Sequence, residues 1–205
     1  VVGDARVDFI WAPEAGQRSA ASDQWRFGLV ADHLADSMAP LLPELARRSQ
    51  AGAMTIPVWD SALTPEHVAD RAKLLSPVVS ALLQDWREVT LNLPVVPETL
   101  AGAARVRADD PWGALRAERS TWMPYAEELF DVLGQRAGRW QLGPTGDDKA
   151  YWSTQLGEEL KAGHASLSRL VPGPTVVVPT RIDRAWSSAD LAQAPAVLAS
   201  VMPPE

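Results

Sequence analysis

Residues 138–179 read GRWQLGPTGDDKAYWSTQLGEELKAGHASLSRLVPGPTVVVP, and this stretch decides the fold class. Gly138–Leu142 and Thr175–Pro179 are short apolar or β-branched runs closed by Gly or Pro, the pattern of buried strands. Between them Trp152, Leu156, Leu160, His164 and Leu167 fall three or four residues apart. That spacing traces one stripe on a helix, with Thr145 or Asp147 as its N-cap. Strand, helix and strand in this order form a crossover unit, which joins parallel strands.

The same unit recurs towards the N-terminus. Further strand-like runs are Arg6–Trp11 (RVDFIW), Met54–Trp59 (MTIPVW) and Glu88–Leu93 (EVTLNL). Pro57 weakens the second of them, because it removes a ladder donor. Val68, Ala72, Leu75, Val79, Leu82 and Trp86 predict a helix, opened by Thr64 and Pro65 and kinked at Pro77. Leu115, Trp122, Ala126, Leu129 and Leu133 predict another, interrupted at Pro124 and closed by Gly134 as a C-cap. A helical stretch from about Ser19 to Arg48 is broken by Pro40 and Pro43, and Ala189–Ser200 reads as a last short helix.

The resulting order, β-α-β-α-β-α-β-α-β, belongs to the α/β class with a parallel sheet. Two arrangements fit it. One is TIM-barrel-like and incomplete, with about five β/α units, since a whole barrel takes about 250 residues. The other is an open doubly wound sheet. A single β/α domain over residues 1–205 is expected, as a piece of a longer barrel. The start at Val1-Val2-Gly3 rather than Met fits a processed form or part of something longer.

Composition removes several function classes. The chain has 205 residues, 46% hydrophobic and 22% charged, which are ordinary globular values. It has no cysteine, so thiol catalysis, thiolate metal sites and iron–sulfur clusters are excluded. A net charge of −7 argues against nucleic acid as a partner. No apolar run reaches the ~18 residues of a membrane span, and no signal-peptide h-region is present. Nine Trp stand against three Phe and two Tyr. The wealth of Arg, Ala and Pro beside three Lys and one Asn suggests the coding bias of a GC-rich bacterial genome.

Known phosphate, dinucleotide and hydrolase motifs are missing: no G-x-x-x-x-G-K-[ST], no G-x-G-x-x-G and no G-x-S-x-G occurs. His33 and His67 each stand three residues before an Asp, which is not metalloprotease spacing. No metal site and no cofactor is expected.

The stretch from Thr121 to Asp183 resembles the middle of a clan A (β/α)8 glycoside hydrolase. The resemblance rests on Trp140-Gln141-Leu142-Gly143, on the aromatic pair Tyr151-Trp152, and on Pro172-Gly173-Pro174 leading into Thr175-Val176-Val177-Val178. It implies a barrel that binds or cleaves a polysaccharide. The departures are as informative. In that family the fourth strand is followed by Asn-Glu, the Glu serving as general acid/base. Here Pro144-Thr145-Gly146-Asp147-Asp148 follows. The family's nucleophile, on the seventh strand, has no counterpart.

Parallel β/α folds collect function in the loops after strand C-termini. Those loops carry Trp11 and Glu14, then Trp59 and Asp60, then Asn92, Asp109, Asp110 and Trp112, then Asp147 and Asp148, then Arg181, Asp183 and Trp186. Helix capping accounts for Asp109, Asp110, Asp147 and Asp148. Asp60 and Asp183 lie just past strands and are harder to explain that way. The candidate carboxylates for catalysis are Asp60, Asp147 and Asp183, since a pair roughly 5–5.5 Å or 6.5–9.5 Å apart would suit glycoside cleavage. Trp11, Trp59, Trp112 and Trp186 would stack on sugar faces, with Gln141 and Arg181 as polar contacts. The expected partner is an oligosaccharide or polysaccharide. The alternative is a non-catalytic α/β scaffold or interaction domain, partnered by the rest of a longer chain or by another protein.

Overall fold

A computed structural model describes residues 28–31, 34–85, 87–144, 156–181 and 197–202. Six strands form one sheet: β1 (Gly28–Val30), β2 (Ala53–Pro57), β3 (Glu88–Leu93), β4 (Arg139–Leu142), β5 (Thr175–Arg181) and β6 (Val197–Met202). Their spatial order is their sequence order, and all five pairings are parallel. An order without reversal has no topological switch point, so the doubly wound alternative is set aside. Right-handed crossovers taken always in one direction carry every helix to the same side of the sheet. The fold is therefore α/β and TIM-barrel-like, with β1 and β6 unpaired to each other among the described strands.

The four runs read as strands around residues 54, 88, 138 and 175 form β2 to β5. The run Arg6–Trp11 lies outside the described residues. Two strands correct the sequence reading. Gly28–Val30 is β1, inside a stretch expected to be helical, and the residues expected as a last helix end in β6 at Val197–Met202. Each docks on the edge of a neighbour, β2 or β5, and such pairing overrides local helix propensity.

Register separates the sheet into two faces. Met54, Ile56, Val89, Leu91, Leu93, Trp140, Leu142 and Val176 lie on one side and are all buried. This is the helix side, because the Trp140 ring packs on Phe130 with centroids 4.5 Å apart. The other side carries Thr55, Thr90, Arg139 and Thr175 in one layer, and Pro57, Asn92, Gln141 and Val177 in the next. Pro57 is tolerated because the Thr55 carbonyl accepts from Ala31 N (3.0 Å). Alternation points the Pro57 nitrogen to that same edge, beyond the end of β1.

Among the described residues there are seven α-helices, α1 (Leu42–Ser49), α2 (Val68–Gln84), α3 (Glu98–Ala104), α4 (Pro111–Arg116), α5 (Arg119–Trp122), α6 (Glu127–Leu129) and α7 (Leu156–Leu167), of which α2 and α7 pack directly on the sheet. In α2 the expected stripe of Val68, Ala72, Leu75, Val79 and Leu82 is buried. The helix runs on through Pro77, which is exposed, while Trp86 lies outside the described residues. The segment around Pro124 is a chain of short pieces: α5, a 3₁₀ turn, α6 and a π turn (Phe130–Gly134). Gly134 is not a left-handed cap. A Cβ there would meet Val171 Cγ2 at 2.8 Å, so the site needs Gly for close packing. Among the described residues no helix is long and apolar enough to cross a membrane.

Candidate functional site

The inner face of the sheet changes character along the strands. Near their N-terminal ends Arg139 and Glu88 form an ion pair across β3 and β4. Thr90 follows, and then Asn92 and Gln141 stand side by side near the C-terminal ends. Both amides are buried, at 1% and 0% exposure. Gln141 Nε2 donates to the carbonyl of Gly143 (3.1 Å), whose φ of 111° only Gly adopts readily. Asn92 Oδ1 has no hydrogen-bond partner among the described residues. A buried acceptor left open costs about 1–3 kcal/mol. Such a pair can accept from and donate to hydroxyls without adding charge.

Asp60 stands just past β2 and is half-buried. Its Oδ1 accepts from Ala62 N at 2.9 Å, an Asx turn that shapes the loop. The loop is anchored again where Glu98 N donates to the Ser61 carbonyl (3.0 Å) at the start of α3.

The two described candidate tryptophans do not reach the rim. Trp59 is fully buried, and its indole Nε1 donates to the Tyr125 carbonyl at 3.0 Å. Its ring seals the end of β2 against the turn after α5 instead of offering a face. Trp112 lies in α4 at 6% exposure, wedged against Gly163 of α7. Asp110 has the capping role expected of it, with Oδ1 accepting from Gly113 N at 2.7 Å. Asp109 is paired with Arg107. Arg181 closes β5. Trp11, Glu14, Asp147, Asp148, Asp183 and Trp186 lie outside the described residues. The structure thus joins Asn92 and Gln141, with Asp60 on the neighbouring strand end.

One buried charge escaped the sequence reading. Arg71 of α2 is 5% exposed, donates to the Pro57 carbonyl at 3.0 Å and pairs with Asp36. It satisfies a strand carbonyl left over where β1 stops. Its place in the signal was legible, since Arg71 falls between Val68 and Ala72 on the buried stripe. Among the described residues no three His, Asp or Glu side chains gather to hold a metal.

No protein-family model matches the sequence, and no curated protein matches it either. Among solved structures the chain is similar to an endo-β-1,4-mannanase from Thermotoga petrophila, at 13% identity and a TM-score of 0.47. That match covers 77% of this chain and 43% of the mannanase. The chain is also similar to an HpcH/HpaI aldolase from Desulfitobacterium hafniense DCB-2, at 13% identity and a TM-score of 0.29, covering 86% of each chain.

Proposed function

We propose that this is a carbohydrate-binding β/α domain, with the C-terminal ends of its strands as the binding rim. The observation that carries the reading is the buried amide pair Asn92–Gln141 on the inner face. Amides are suited to neutral polyols, which offer paired donors and acceptors. The open Asn92 Oδ1 would take a hydroxyl of the ligand. Asp60 stands past the end of β2, the strand beside β3, and Asp147 and Asp183 follow β4 and β5 in sequence. In this reading any glycoside cleavage draws on those three, with Arg181, Trp11 and Trp186 as further contacts.

The test is Asn92→Leu. Replacing an orphaned buried polar group by an apolar one of similar size is nearly neutral or stabilising. The variant should therefore melt no lower than the parent while losing affinity for the oligosaccharides that the parent binds, read by tryptophan fluorescence. A parent that responds to no chemically diverse oligosaccharide would sink the proposal, as would unaltered binding in the variant.

A second reading, a non-catalytic scaffold or interaction domain, has one specific support. Val30, Met38, Leu41 and Leu45, in and around β1 and α1, are 42–54% exposed. Large apolar side chains grouped on a surface are common at protein contacts. This reading predicts concentration-dependent self-association or capture of a protein partner that Leu41→Lys abolishes.

A further inference from the structure

A cavity of about 250 Å³ opens between the end of α4, the start of α5 and the C-terminal end of α7. None of its described lining residues belongs to a strand, so it is separate from the strand ends that carry Asn92 and Gln141. Arg116, Arg119 and Arg169 line it together with Ser166, over an apolar floor that includes Trp122 and Leu170. No carboxylate is among the described lining residues, in a chain whose net charge is −7. Arg119 and Arg169 form no ion pair among the described residues.

Helix dipoles account for part of this arrangement only. Arg116 stands in the last turn of α4, where a cation is favoured, and Arg169 lies two residues beyond the end of α7. Arg119 belongs to α5, a single turn of four residues too short for its dipole to favour a cation there. Arg119 and Arg169, which have no counter-charge among the described residues, favour an anion in the cavity between them. Guanidinium forks match the oxygens of a phosphate group in two-point contacts, and Ser166 adds a hydroxyl donor. Cavities for drug-sized ligands run roughly 300–1,000 Å³, so this one suits something smaller. We propose that the cavity binds a small organic phosphate, its phosphoryl group held by Arg116, Arg119 and Arg169 and its organic part resting on Trp122 and Leu170.

The experiment is calorimetric titration of the full chain at low ionic strength with phenyl phosphate and with inorganic phosphate. Saturable binding of both is expected, with phenyl phosphate about ten-fold tighter because of the apolar floor. Arg119→Gln and Arg169→Gln should each weaken phenyl phosphate about ten-fold, with an unchanged circular dichroism spectrum. Asn92→Leu should leave this binding untouched, which separates the cavity from the carbohydrate rim. Three results would overturn the proposal: no saturable binding of phenyl phosphate, equal affinity in the Arg119→Gln/Arg169→Gln double variant, or binding only to phosphatidic acid vesicles.

Discussion

Gly163→Ala should unfold this protein more easily, although alanine is the better helix former. An ideal Cβ on Gly163 would sit 2.3 Å from Trp112 Cζ3, 2.8 Å from Cε3 and 3.2 Å from Leu142 Cδ1. Carbon atoms in good contact stand about 3.5–4.0 Å apart, so the indole must withdraw by more than about 1 Å. It has little room, because Trp112 is 6% exposed and α4 rests on α7. Overpacking of this kind costs about 1–3 kcal/mol. The helix recovers about 0.5–1 kcal/mol from replacing Gly. With two contacts under 3.0 Å the overpacking falls in the upper part of its range, about 2–3 kcal/mol, so the net loss is about 1–2.5 kcal/mol, or about 2–10 °C in Tm for a chain of this length. Urea denaturation followed by far-ultraviolet circular dichroism measures it directly. Gly102→Ala is the control: it lies in α3 with nothing within 4 Å of a new Cβ, and should stabilise by about 0.5–1 kcal/mol. Adding Trp112→Leu to Gly163→Ala should cost less than the two single changes combined, because the smaller side chain makes room. A Gly163→Ala protein as stable as its parent, or strict additivity with Trp112→Leu, would refute the close α4–α7 packing.

Other consequences are open to similar measurement. Asp110→Ala removes the cap on Gly113 N and should lower stability by about 1 kcal/mol in urea titrations. Trp59→Phe keeps an aromatic ring but leaves the Tyr125 carbonyl without its indole donor, so a loss of about 1–3 kcal/mol is expected in thermal melts. Hydrogen bonds from Arg47 and Arg48 hold the Glu44 carboxyl below its ordinary pKa. Because the folded value is the lower one, the contribution of Glu44 to stability is present above the unfolded value and lost as pH falls through the folded value. A nuclear magnetic resonance titration should show Glu44 ionising below the ordinary glutamate range, with the shift abolished by Arg47→Ala/Arg48→Ala.

Much of the sheet was legible residue by residue. Glu88, Thr90 and Asn92 alternate with Val89, Leu91 and Leu93, and that period of two is the division between inner and helix-facing sides. The strand β1 was not legible. Three residues, Gly28–Val30, are too few to carry a period, and the edge of β2 selects them. The β6 segment VLASVM mixes strand and helix formers, so pairing with β5 decided it. The tryptophans show another limit. Sequence position put Trp59 and Trp112 near strand ends, but what each ring touches comes from distant chain. Trp59 meets Tyr125, and Trp112 meets Gly163.

By itself the sequence determined an α/β chain of parallel β/α units, without thiol chemistry, with one face of each strand built to be buried. These follow from composition and from periods of 2 and 3.6, which are local properties. Only the tertiary structure decided the unreversed strand order and the single helical side. It also buried Trp59 and Trp112, joined Asn92 to Gln141 on neighbouring strands, and brought Arg116, Arg119 and Arg169 around one cavity. Each of these is a meeting of segments far apart in the chain, chosen by which edges and faces fit when the whole sheet is laid down. Local patterning states that a face must be covered, and packing settles what covers it.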